Sequence, residues 1–148
     1  MQTLRYIPTL THALLDHLLG IVLIISPWIF EFHSAHGPAV HVPFILGGCV
    51  VINSLITKFE MGLLKWIPVR VHLIIDIVLG ISLALSPWAL DFSDRIFLPH
   101  LIGGMSIAII PIFSVHKPFD ESVYTEVVIR EGRSEVVRYA ARSADNSL

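Results

Sequence analysis

The chain is short of charge. Only 15% of its 148 residues are Asp, Glu, Lys or Arg, where a soluble domain carries about a quarter. It has a single cysteine, Cys49, which excludes an internal disulfide. Ten basic residues against twelve acidic leave a formal net charge of −2, a balance that points to no nucleic-acid partner. What fills the space is apolar: 54% of the residues are hydrophobic and the mean hydropathy is +0.74.

The apolar residues gather in four stretches, roughly 8–30, 42–57, 68–90 and 97–114. The first and third exceed the ~20 residues that cross a ~30 Å hydrocarbon layer, and the other two are near the lower end of that range. The first is not read as a cleaved signal peptide. It carries Asp16 and two histidines, lacks a small-residue cleavage site, and is copied in mid-chain.

That copy is the strongest feature present. Residues 7–32 recur at 67–92, and twelve of the 26 positions are identical. The matches include Pro8 with Pro68, His12 with His72, Asp16 with Asp76, Gly20 with Gly80, and Ser26-Pro27-Trp28 with Ser86-Pro87-Trp88. A weaker match follows in each unit, with Pro43–Gly48 aligning to Pro99–Gly104 at an offset of 56. The paired glycines Gly47, Gly48, Gly103 and Gly104 join Gly20 and Gly80 as expected helix-packing positions, because small residues let helix backbones approach.

The expected fold is all-α: a polytopic membrane protein with four transmembrane helices, built as two tandem helical hairpins. Each unit crosses twice, so the units point the same way and relate by a pseudo-two-fold along the membrane normal, unlike inverted-repeat transporters. The expected divisions are a first repeat at 1–60, a second at 61–114 and a polar cytoplasmic tail at 115–148. Nine of the ten basic residues, all but Arg95, fall on the side of the termini and the 58–67 loop. That asymmetry predicts a plasma (inner) membrane protein with both termini cytoplasmic. In the tail, Val123–Arg130 and Ser134–Tyr139 read as a short hairpin, with an amphipathic helix or disorder as the alternatives.

The repeat supplies a ruler. Trp28 lies twenty-two residues beyond Tyr6, and Trp88 the same distance beyond Trp66. At 1.5 Å per residue that is about 33 Å, the separation of two interfacial aromatic belts. Asp16 and Asp76 fall about 15 Å along it, near the bilayer midplane. His12 and His72 lie one turn before them on the same face.

A carboxylate at that depth normally faces a bundle interior or a water-filled cavity. Three readings of His12, Asp16, His72 and Asp76 follow. They are polar glue between helices, with Asn53 as a partner at similar depth; or a proton or cation path; or a metal or haem site. His17 has no counterpart in the second copy, where Ile77 stands. His33, His36 and His41, with His100 near the same face, could bind metal or sense pH; the second copy lacks the cluster, which favours solvated loop histidines. In the Ser-Pro-Trp triplets the proline frees a backbone carbonyl, the serine satisfies a local backbone group, and the indole reaches the headgroups. No base accompanies the serine in both copies, so no catalytic residue and no enzyme is expected.

The doubled Ser-Pro-Trp, each preceded by Asp and Gly on an apolar helix, resembles the SPW repeat family of small prokaryotic integral membrane proteins over roughly residues 7–114. The resemblance implies a four-crossing protein of two units and brings no activity, cofactor or site residue. The expected role is structural or accessory, in the lipid bilayer, with a homo-oligomer expected from the small membrane-embedded mass.

Overall fold

The computed structural model describes residues 6–58, 60–115 and 133. The chain divides into two compact units, Met1–Pro118 and Phe119–Leu148. The hairpin expected at Val123–Arg130 and Ser134–Tyr139 lies outside the described residues.

The first unit is helical: α1 (Thr9–Ile29), α2 (Pro38–Ile56), α3 (Val69–Ala89) and α4 (Leu98–Ile109), the last prolonged by a 3₁₀ turn over Ile110–Phe113. Among the described residues there is no strand, only two isolated bridges, Ile7 with Ser114 and Thr57 with Ile67. The first three helices are long and apolar enough to cross a membrane, and Leu98–Phe113 is a shorter apolar segment. Its α-helix stops early because Pro111 has no N–H to continue the ladder.

Helices α1 and α2 pack closely through Gly20 and Gly47, and α3 and α4 through Gly80 and Gly104. A Cβ on Gly47 would lie 2.7 Å from the Gly20 carbonyl oxygen, and one on Gly80 would lie 2.6 Å from that of Gly104. Neither approach leaves room for a side chain. Between the pairs lies an apolar layer of Leu23, Val50, Leu83 and Ile107. Equivalent contacts therefore run at an offset of 57 in the second helix of each unit: Gly47 with Gly104, Val50 with Ile107, Thr57 with Ser114. The offset of 56 read from the Gly-Gly dipeptides is one residue short. Either glycine of a pair can align in sequence, and packing decides between them.

The outward surface inverts the usual distribution. Leu14, Leu18, Ile21 and Ile25 on α1, and Ile74, Val78, Ile81 and Leu85 on α3, are exposed. The buried set meanwhile holds His12, Asp16, Asn53, His72, Asp76 and His100. Apolar area of that extent is not left to water by a soluble domain.

The bundle is tied at both ends. At one, Phe113 O accepts from the N–H groups of Tyr6 and Ile7, which sets the end of α4 beside the start of α1. At the other, His100 lies between the rings of Phe32 and Phe92, at 5.6 and 5.0 Å. Its Nε2–H donates to Ala39 O at 3.0 Å. Pro43 supplies no N–H to that carbonyl, four residues back, so His100 fills the place.

Candidate functional site

Four side chains meet where the N-terminal halves of α1 and α3 face each other. The i,i+4 spacing puts His12 above Asp16 and His72 above Asp76 on one helix face each. The separations are 3.2 Å for His12 Nε2 to Asp16 Oδ2 and 2.8 Å for His72 Nε2 to Asp76 Oδ2. Across the helices they are 3.3 Å for His12 Nε2 to Asp76 Oδ2 and 3.0 Å for His72 Nε2 to Asp16 Oδ2. The two Nε2 atoms are 3.3 Å apart. Asp16 is 3% exposed and the other three 0%. This is the one group of three or more metal-capable side chains among the described residues.

The outer side of each imidazole is also held. Thr57 Oγ1 is 3.0 Å from His72 Nδ1, and Ser114 Oγ is 2.7 Å from His12 Nδ1. Each hydroxyl donates its own proton to a carbonyl of the turn before it, Thr57 to Asn53 O and Ser114 to Ile110 O. The hydroxyl oxygens are therefore acceptors toward the rings, and Nδ1 carries the ring proton. Asn53 Nδ2 donates to Asp76 Oδ1 at 2.9 Å and to His72 O at 3.4 Å. The fold thus gathers His12, Asp16, His72, Asp76 and Asn53 at one place. His17 stands apart, its Nδ1 2.7 Å from Ala13 O. His33, His36 and His41 are exposed, whereas His100 is buried in the bundle rather than grouped with them.

The cluster lies in the N-terminal half of α1. Tyr6 precedes the helix, which starts at Thr9. Asp16 therefore sits about 10 Å from the start of α1 and about 20 Å from its end. A haem does not fit, because imidazole nitrogens 3.3 Å apart, each flanked by both carboxylates, leave no gap for a macrocycle.

At the far ends of α1 and α3 the Ser-Pro-Trp triplets build two like terminations. Pro27 and Pro87 have no N–H for Leu23 O and Leu83 O. The hydroxyls of Ser26 and Ser86 donate to those carbonyls at 2.7 and 2.8 Å. Glu31 and Asp91 then adopt left-handed backbone, φ 57° and 56°. The N–H groups of Phe32 and Phe92 return to Pro27 O and Pro87 O, each at 2.9 Å, in the manner of a Schellman cap with a buried aromatic after it. Trp28 and Trp88 stay about half exposed. The model of the SPW repeat domain family matches residues 10–114, more than two thirds of the chain. The chain belongs to the SPW repeat family. No curated protein and no solved structure matches it.

Within this SPW protein the six glycines of the expected packing set divide. Gly20, Gly47, Gly80 and Gly104 make the close crossings. Gly103 faces the flexible tip of Leu23, and Gly48 meets nothing within 4 Å. Thr57 and Ser114 went unread in the sequence. Each closes its helix four residues beyond a carbonyl it bonds, and the one signal for them was the 57-residue spacing that the Gly-Gly match obscured. Thr9, whose Oγ1 donates to Glu60 Oε1 at 2.7 Å, also went unread. An apolar groove of about 570 Å³ lies between α1 and α4, lined by Leu19, Val22, Phe30, Ile102 and Ser106 among others, with Arg95 at its edge. It shares no residue with the cluster.

Proposed function

We propose that this is an integral membrane protein of structural or accessory role, in which the α1–α2 and α3–α4 hairpins are closed on each other by the buried His/Asp cluster. One observation carries the reading: every member of the cluster touches the opposite hairpin. His12 meets Asp76 and Ser114, while His72 meets Asp16 and Thr57. Opening the hairpins would leave two carboxylates and two imidazoles without these partners in an apolar medium, which is strongly unfavourable.

A fourth crossing is part of the proposal. Twelve α-helical and four 3₁₀ residues in α4 and its extension span about 26 Å. That segment runs from the Phe32 end of the bundle to the Ile7 end. The like contacts of the two hairpins support a pseudo-two-fold along the membrane normal. The one-sided distribution of Lys and Arg supports a plasma-membrane location with cytoplasmic termini. A homo-oligomer would use surface other than Gly20, Gly47, Gly80 and Gly104, which are occupied within the chain. A proton or cation path is less well supported, because the layer of Leu23, Val50, Leu83 and Ile107 separates the cluster from the Ser-Pro-Trp end.

Thermal unfolding in detergent of Asp16→Asn, Asp76→Asn and the double variant tests the clamp. Each single change is expected to cost about 1–2 kcal/mol, and the double less than the sum, since both act in one network. Unchanged or raised stability in both single variants would defeat the proposal. It would turn the question to ion flux in liposomes, because groups kept at a stability cost are kept for activity.

A further inference from the structure

We propose that His12, Asp16, His72 and Asp76 form a binding site for a divalent first-row transition ion of the zinc class. This rests on the cluster being the clamp between hairpins, and says what fills it.

The first support is the direction of the lone pairs. Thr57 and Ser114 have given their protons to Asn53 O and Ile110 O, so they accept from Nδ1–H of His72 and His12. In its neutral form each ring then turns the Nε2 lone pair inward, toward an oxygen of each carboxylate. Metal-ligating histidines are held in this way, with the distal N–H anchored to an acceptor outside the coordination sphere. Asn53 does the same for the carboxylate of Asp76, engaging the oxygen that points away from the centre.

The second support is size. A tetrahedral ion with bonds of about 2.0–2.1 Å to nitrogen and oxygen sets its ligand atoms about 3.3–3.4 Å apart. Five of the six separations, the imidazole–imidazole and imidazole–carboxylate ones, are 3.3, 3.3, 3.2, 3.0 and 2.8 Å; all four ligand atoms lie within 4.8 Å of one another, so the two carboxylates would have to draw together on an ion. Protons alone account for this less well. Each Nε2 is within 3.3 Å of both carboxylates and of the other Nε2, and a single N–H points well at one of them. One cation at the centre answers every contact. With two neutral imidazoles and two carboxylates, a divalent ion also leaves the buried site uncharged. Two nitrogens and two oxygens suit Zn²⁺, Fe²⁺, Mn²⁺ or Co²⁺, while Ca²⁺ takes six to eight oxygens and Mg²⁺ an octahedron of them.

The test uses the full chain, purified in detergent with any affinity tag removed. Elemental analysis is followed by chelation and titration with Zn²⁺ and with Co²⁺. About one equivalent per chain is expected to survive gel filtration, with the intense visible absorption of tetrahedral Co²⁺ and a raised Tm in both loaded forms. His12→Gln and His72→Gln are expected to lose the absorption, and Ser82→Ala, on the lipid-facing surface, to keep it. A folded wild-type chain that takes up neither ion, with its Tm unchanged by both, overturns the proposal, and this needs no variant to fold. Equal uptake by the double His12→Gln, His72→Gln variant also overturns it, by placing the ion elsewhere. If the metal-free chain still shows the non-additive loss for Asp16→Asn and Asp76→Asn, the clamp stands on hydrogen bonds and only the metal site falls.

Discussion

At the scale of the residue, the Ser-Pro pair is one device used twice. A proline late in a membrane helix leaves a carbonyl bare in a medium that cannot solvate it, and the serine before it covers that carbonyl. Ser26→Ala and Ser86→Ala are each expected to lower stability in detergent by about 0.5–1.5 kcal/mol, the range of side-chain hydrogen bonds in membranes. Ser82 and Ser106 also donate to the carbonyl of the turn before, but at exposed positions and with no proline to free it. Their Ala variants are expected to stay within about 0.5 kcal/mol of wild type. Equal losses at all four serines would show that the proline-freed carbonyl is not what the motif serves. The serine's role was legible because serine, proline and carbonyl lie within one turn of sequence. The hydroxyls of Thr57 and Ser114 were not: Ser114 meets a histidine 102 positions away, and no local pattern marks such a pairing.

At the scale of the element, glycine position decides how the hairpins close. Gly104→Ala would set a methyl against the backbone of Ala84 and the carbonyl of Gly80, both fixed parts of α3. A loss of about 1–3 kcal/mol is expected, the usual result of forcing extra volume into a packed interface. Gly48→Ala meets open space and should be neutral or gain up to about 1 kcal/mol from helix propensity. Thermal unfolding of the two variants side by side checks this, and similar losses at both would mean that α2 turns a different face to α1. The extents of α1 and α3 were readable because each runs from a proline to a Ser-Pro-Trp triplet. The second helices lack such ends, so their register and the 3₁₀ finish of α4 depended on packing that sequence spacing does not carry. The His-x-x-x-Asp-x-x-x-Gly stripe could be named from its repetition, but its place along the helix could not. The ruler began at Tyr6, before the helix does, and so set the aspartates further along than the eighth helical position they hold.

At the scale of the whole molecule, apolar outside and polar inside is the arrangement a lipid solvent demands, and it makes topology a measurable consequence. Cys49 is exposed on the flank of α2, near the middle of that helix. In cells it is expected to resist a membrane-impermeant maleimide even after permeabilisation, since the surface it occupies faces acyl chains. In a Cys49→Ala background, single cysteines at His36 and Asp94, both in exposed loops at the Ser-Pro-Trp end, are expected to label in intact cells. Cysteines at Leu63, exposed between α2 and α3, and at Leu148 are expected to label only after permeabilisation. The Leu148 position decides the hardest point, because α4 is the shortest segment. Labelling there in intact cells, with Leu63 still protected, would mean that α4 enters the membrane and returns. The ties from Phe113 to Tyr6 and from Ser114 to His12 argue against that outcome, because they hold the end of α4 at the same level as the start of α1. A chain that turned back would have to break one side of the cluster to do so.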